Sequence, residues 1–217
     1  PMNRILQELI GYNQAYFHLS DHPDRVEHLY QVLCEHYQQL QQVVLDSPAK
    51  LVMHGQHFDS TMTPLRIFHK YMTPYYQPFA DKMHARGKWL ACHADADTSR
   101  LMPEVLACGF DVLDCFVTAP MVPLRMLQAR AVFGNQVVIW GGVPSVLLES
   151  SFSEIEFRQA VLELFSAVAP GKAFILGIAD NAMPESSIER IELLSRVVEL
   201  AGEVPLDLAR VRDVLEI

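Results

Sequence analysis

The stretch that decides the fold is residues 87–116, GKWLACHADADTSRLMPEVLACGFDVLDCF. It holds an apolar strand candidate at 88–93, a helical run at 97–107 and a second strand candidate at 110–115. A strand, a helix and a strand in this order predict a βαβ unit with parallel strands. Ligands and catalytic groups of such folds collect at the carboxyl ends of the strands, where this chain has His93-Ala94-Asp95.

The alternation of strands and helices continues on both sides of this unit. Three more strand candidates lie at 50–54, 136–141 and 173–179. Helical runs are predicted at 3–18, 24–46, 64–86, 122–132, 153–168 and 186–202. This pattern predicts an α/β fold with a parallel sheet. Because a TIM (β/α)8 barrel takes about 250 residues, we predict either an open sheet or an incomplete barrel with about five parallel strands.

A single domain is predicted for residues 1–217, since no low-complexity linker divides the chain. Within this α/β domain we expect a helical lead-in at 1–47, the βα units at 48–203 and a C-terminal helix at 204–217.

The composition of the chain excludes several classes of protein. Its 217 residues carry 17 basic and 26 acidic side chains, a net charge of −9, without a basic run. A nucleic-acid partner is not expected, because a phosphate backbone is bound by clustered Lys and Arg. No apolar run approaches the roughly 20 residues of a membrane span, and the first residues lack the apolar core of a signal peptide. The four cysteines show no CxxC spacing, so we expect reduced thiols and a cytoplasmic location. The position of His93 and Asp95 at the end of a strand favours a small-molecule substrate.

His93 and Asp95 are the strongest candidates for chemistry. They lie two residues apart at the end of a predicted strand, which points both side chains to one face. The pair suits a metal site, or an acid–base site in which the carboxylate orients the imidazole. The alternative is a histidine at the rim of the core, with Asp95 capping the helix 97–107. Asp97 and Thr98 compete for that cap, which favours the functional interpretation.

Several motifs of the chain form an ordered set. They are Asp21-His22-Pro23, Met62-Thr63-Pro64, Gly87–Asp95, Cys108–Val112 and Ile139–Pro144. Their order and spacing resemble the uroporphyrinogen decarboxylase superfamily, which includes methyltransferases that work with methylated corrinoid proteins. The resemblance covers most of the chain and implies a TIM barrel, of which this chain is similar to the later portion. For the methyl-transfer type it also implies a divalent metal such as zinc and a corrinoid carried by a partner protein.

Two parts of the family pattern differ in this sequence. The resemblance to the thiol methyltransferases implies a zinc held by His-x-Cys and a later Cys, and the matching positions here are His93, Asp95 and Asp180. With carboxylates replacing both thiolates, this set favours a harder metal or acid–base chemistry. The late Gly-His-Gly motif of the decarboxylases is not kept, and the corresponding region reads Gly177-Ile178-Ala179-Asp180-Asn181. Asp180 has an alternative role as a turn residue, because Asp-Asn is common in turns.

Three residues are candidates for substrate contacts. His54 and Asp59 flank the loop after strand 50–54, together with His57, and His54 is expected to face the mouth of the fold. The resemblance places polar substrate contacts on this loop, although an exposed polar loop is the alternative. Trp140 precedes two glycines that would let a ligand approach the backbone, or that serve only a tight turn.

Three functions remain open at this point. The first is a methyltransferase of the corrinoid-dependent type with a metal-linked site at the barrel mouth. The second is a decarboxylase-type carboxy-lyase that needs no cofactor. The third is a non-catalytic truncated or binding domain, since an incomplete barrel leaves an open strand edge. That edge also favours a homo-oligomer or a partner chain.

Overall fold

Five parallel strands form the sheet of this protein in a computed structural model, which describes residues 1–55 and 58–217. The strands are β1 (Leu51–His54), β2 (Trp89–His93), β3 (Val112–Phe116), β4 (Val138–Pro144) and β5 (Phe174–Ala179). They lie side by side in chain order, and every neighbouring pair is parallel. Sequential βα units usually place successive strands side by side in this way. The predicted α/β fold is therefore confirmed, with a sheet that does not close within the described residues.

Helices precede, connect and follow the strands. The α-helices are α1 (Met2–Arg4), α2 (Tyr12–Asp21), α3 (Pro23–Asp46), α4 (Leu65–Ile67), α5 (Thr73–His84), α6 (Met102–Ala107), α7 (Met126–Phe133), α8 (Glu154–Val168), α9 (Ile188–Ala201) and α10 (Leu208–Leu215). Ile5–Leu9 and Phe68–Met72 are π-helical, and Ser145–Leu148 is a 3-10 helix. The predicted helix 3–18 is interrupted at Gly11, where a φ of 83° suits glycine.

The helix after β2 begins later than the sequence pattern predicts. Residues 97–107 were expected to be helical, but α6 starts at Met102. The Asp97 carboxylate accepts a hydrogen bond from the Ser99 N–H at 2.9 Å, and the Leu101 N–H donates to the Thr98 carbonyl. Such a local side-chain bond competes with the helix. Because no side chain caps α6, Asp95 does not have the capping role that was its alternative.

The two faces of the sheet differ in their cover. Helices pack on one face, where Leu90, Leu113 and Ile139 are buried in the core. The other face carries exposed apolar side chains and is called the open face below; they are Leu51, Met53, Trp89, Trp140 and Ile175. The side chains of in-register neighbours on adjacent strands point to the same face of a sheet. Leu51 is in register with Trp89, and Trp140 is in register with Ile175. The open face is therefore the one that a complete barrel would enclose.

The edge at β1 is flanked by α3. The Lys88 ammonium is buried and donates hydrogen bonds to the Val44 carbonyl at 2.9 Å and to the Ser47 carbonyl, which ties the end of α3 to the start of β2. A groove of about 370 Å³ remains between α3 and β1. In the described part of the chain, no helix has the length and apolar character needed to cross a membrane.

Candidate functional site

A histidine and two aspartates meet at the carboxyl ends of β2 and β3. The Nδ1 atom of His93 lies 2.9 Å from Asp114 Oδ2, and its Nε2 atom lies 3.4 Å from Asp95 Oδ2. The side chains of His93, Asp95 and Asp114 are 27%, 22% and 14% exposed, so the group is sheltered but open to a small molecule. The imidazole therefore lies between two carboxylates.

Strand register explains why these residues meet. Ala91 of β2, Val112 of β3 and Val138 of β4 are in-register neighbours, and the residue two positions after each points to the same face. Those residues are His93, Asp114 and Trp140. All three side chains consequently lie on the open face, near the carboxyl ends of the strands. Asp114 was not predicted as a site residue, because only its register with His93 reveals its place.

The Cys115 thiol adds a sulfur atom to the group. One ligand atom each from His93, Asp114 and Cys115 lies within 4.8 Å of the other two. Burial raises the pKa of this thiol, and the negative charge of Asp114 adds to that effect, while a hydrogen bond from the Asp180 backbone opposes it. The thiol thus stays protonated near neutral pH unless a cation lies close to it.

Asp95 and Asp180 are the other two metal ligands predicted from the sequence. Asp95 lies beside His93, as the spacing of the two residues predicts. Asp180 follows β5 with a φ of 66°, and its Oδ1 accepts a hydrogen bond from the Asn181 side chain at 2.9 Å. Its backbone forms a hydrogen bond with the Cys115 thiol. A metal-ligand role for the Asp180 carboxylate stays a prediction.

In the described part of the loop after β1, the hydrogen bonds of His54 and Asp59 join them to groups other than His93. His54 pairs in register with the buried Cys92, and its Nε2 atom lies 2.9 Å from the Tyr76 hydroxyl of α5, so it faces the helix layer and not the mouth. The Asp59 carboxylate accepts hydrogen bonds from the N–H groups of Thr61 and Met62 at 2.7 and 2.9 Å. His57 lies outside the described residues. Substrate roles for His54 and Asp59 remain predictions.

Trp140 forms part of the wall of the open face. A Cβ atom placed on Gly177 would lie 3.2 Å from two atoms of the indole ring, so the ring lies against the backbone of β5. The exposed side of this ring is a flat apolar surface on the same face as His93. This position suits a substrate contact, which stays a prediction.

Parallel α/β folds carry their ligand sites at the carboxyl ends of the strands, and His93, Asp95 and Asp114 lie at these ends in this chain. The sequence model of the family uroporphyrinogen decarboxylase (URO-D) matches residues 5–200, so the chain belongs to this family. A solved structure of a methyltransferase from Methanosarcina mazei superposes with a TM-score of 0.64 at 14% sequence identity. The superposition covers 87% of this chain and 53% of that chain, so this chain spans about half the length of the solved structure. A sequence search of curated proteins found no match.

Proposed function

We propose that this chain provides the catalytic centre of a methyltransferase of the corrinoid-dependent type, with a metal-linked site at the mouth of the sheet. The observation that carries the proposal is the imidazole of His93 between the carboxylates of Asp95 and Asp114, with the Cys115 thiol beside it. Family membership supports the proposal, because the superfamily combines this fold with methyl transfer. The Methanosarcina mazei structure supports the fold alone.

The protein residues would have distinct roles. Without a metal, the carboxylates of Asp95 and Asp114 would hold the imidazole ring in one orientation, and with a metal Asp95 would continue to do so. When bound, a zinc-type metal would hold an acceptor thiol as its thiolate. Trp140 would border the space in which the acceptor lies.

The reaction expected is methyl transfer from a methylated corrinoid to a small thiol. The methyl–cobalt bond breaks, a carbon–sulfur bond forms, the thiol proton is released, and cob(I)alamin leaves with the electron pair of the broken bond. This chain spans about half the length of the methyltransferase structure. We therefore propose, as parts of the same function, a small thiol as the substrate, a partner protein that carries the corrinoid, and a cytoplasmic location.

The test uses methylcobalamin as the donor and a panel of small thiols as acceptors. We expect loss of methylcobalamin absorbance and formation of the methyl thioether with the wild-type chain, and neither with His93→Ala. A matched control is His84→Ala, because His84 also pairs with an aspartate, Asp111 at 2.9 Å, but at the amino end of the strands. Equal rates for wild type and His93→Ala would refute the proposal.

A second candidate function is a decarboxylase-type reaction without a metal. The His93–Asp95 contact favours it, because a histidine oriented by a carboxylate is a competent acid–base pair. Release of carbon dioxide from a carboxylated pyrrole by metal-free protein, abolished in His93→Ala, would support this function and replace the first.

A further inference from the structure

Strand β3 contains one extra residue next to the site. Leu113 pairs with Ile139 and Phe116 pairs with Gly141, so three steps along β3 match two steps along β4. Cys115 lies in this interval with a φ of 54°, in the left-handed region that a side chain seldom adopts. This is a β-bulge, a feature that redirects a side chain and is common next to active sites.

The neighbouring strand makes room for the bulge. A Cβ atom on Gly141 would lie 2.6 Å from the Phe116 nitrogen and 3.2 Å from the Cys115 carbonyl carbon. Only glycine at position 141 therefore lets β3 and β4 pair at the bulge. Left-handed conformations at residues other than glycine are strained and cluster at functional sites. The absence of a side chain at Gly141 thus allows the strained backbone of Cys115.

The bulge determines which metal-ligand atoms of β3 face the site. Without it, Asp114 and Cys115 would point to opposite faces of the sheet. With it, both lie near His93, and the three donor atoms are within 4.8 Å of one another. Zinc bonds of about 2.0–2.3 Å place tetrahedral ligand atoms roughly 3.3–3.8 Å apart, so small side-chain rotations would close the set.

The donor types also agree with a zinc-class ion. Nitrogen, sulfur and carboxylate oxygen are the three donors that zinc accepts in proteins. The second nitrogen of His93 faces Asp95 Oδ2 at 3.4 Å, which corresponds to the carboxylate–histidine–metal arrangement of many zinc sites. Asp95 would then orient the ring while Nδ1 binds the ion.

We propose that His93 Nδ1, Asp114 and Cys115 are the protein ligands of a zinc-class divalent cation, and that Asp95 is a positioning residue for His93. This ligand set deepens the proposed function, on which it rests for its role in methyl transfer. It differs from the set His93, Asp95 and Asp180 expected from the sequence, because the thiolate comes from the bulge in the adjacent strand.

The experiment titrates Co²⁺, a spectroscopic substitute for zinc, into the purified chain. We expect one Co²⁺ per chain with a sulfur-to-cobalt charge-transfer band in the near ultraviolet. Cys115→Gly should remove the band and keep the circular dichroism spectrum, since glycine tolerates the left-handed backbone. Asp114→Asn should weaken binding more than Asp95→Asn, for which a loss of about 10–100-fold is expected. Cys34→Ser, in the partly exposed cysteine of α3, is the control and should leave the band unchanged.

Three results would overturn this ligand set. They are no Co²⁺ binding by the wild-type chain, binding without the sulfur band, and a band that survives in Cys115→Gly. Because the titration measures no methyl transfer, a chain that shows the band but transfers no methyl group would refute the proposed function and leave the metal site standing.

Discussion

Arg190 is a buried cation that joins the loop after β4 to α9. Its side chain is 6% exposed, and its guanidinium donates to the carbonyls of Leu147, Glu149 and Phe152 at 2.5–2.7 Å. Its Nε atom also lies 2.6 Å from a Glu154 carboxylate oxygen. Arg190→Met would keep an apolar stem and remove every donor, so three carbonyls would lose their partner.

The expected cost follows from which groups water can reach. Leu147 is buried, whereas Glu149 and Phe152 are partly exposed and can be rehydrated. A buried acceptor left unsatisfied costs about 1–3 kcal/mol, so we expect a total loss of about 2–4 kcal/mol in the free energy of unfolding. Glu154 is 58% exposed, and an exposed ion pair contributes about 0–1 kcal/mol, so Glu154→Gln should cost little.

Urea unfolding followed by circular dichroism measures both variants. The unfolding midpoint of Arg190→Met should fall with an unchanged m-value, and Arg190→Lys should lie between this variant and the wild type. A loss below about 1 kcal/mol for Arg190→Met, or an equal loss for Glu154→Gln, would refute the reasoning that the backbone carbonyls carry the effect.

Three further predictions follow from other features of the fold. Lys88→Met should lower the free energy of unfolding by about 1.5–3 kcal/mol in the same urea assay, because the charge-assisted hydrogen bonds to the end of α3 are lost. Lys82→Met is the control, because Lys82 is exposed and its replacement should leave this free energy unchanged. In the native chain freed of metal, a thiol reagent should modify the partly exposed Cys34 and Cys115 long before Cys92 and Cys108, whose thiols are buried. Burial raises the pKa of the Cys108 thiol to about 12 and that of Cys92 well above its ordinary value. Mass mapping gives the order of modification, and equal rates would contradict the described burial. The exposed apolar side chains of the open face should drive self-association of the wild-type chain. Trp89 is 60% exposed on this face, so Trp89→Lys should shift the mass measured by light scattering toward the 24.6 kDa of a monomer. A wild-type mass of 24.6 kDa at every concentration would exclude self-association through the open face.

The strands could be predicted from the sequence because each is a short apolar run between turn residues. The place of His93 and Asp95 followed from their spacing at the end of such a run. The beginning of α6 could not be predicted, since the bond from Ser99 to Asp97 competes with helix formation only through local geometry.

The rest of the candidate site depends on relations between strands. Asp114 becomes a site residue only through its register with His93. Cys115 joins it only because Gly141 on the next strand leaves room for the bulge. Neither relation is encoded in the local periodicity of β3. Arg190 is a similar case, since a charged residue on a helix is usually exposed and here becomes buried through carbonyls from a distant loop.

The central claim is that His93 binds a metal ion at the carboxyl ends of the strands. The most direct test is the zinc content of the protein purified without chelator. Elemental analysis should find one zinc per wild-type chain, and much less in His93→Ala at an unchanged circular dichroism spectrum. His84→Ala should retain the metal, because its aspartate pair lies at the opposite end of the strands. Wild-type protein that stays metal-free after dialysis against zinc, or His93→Ala with a full complement of zinc, would contradict the claim.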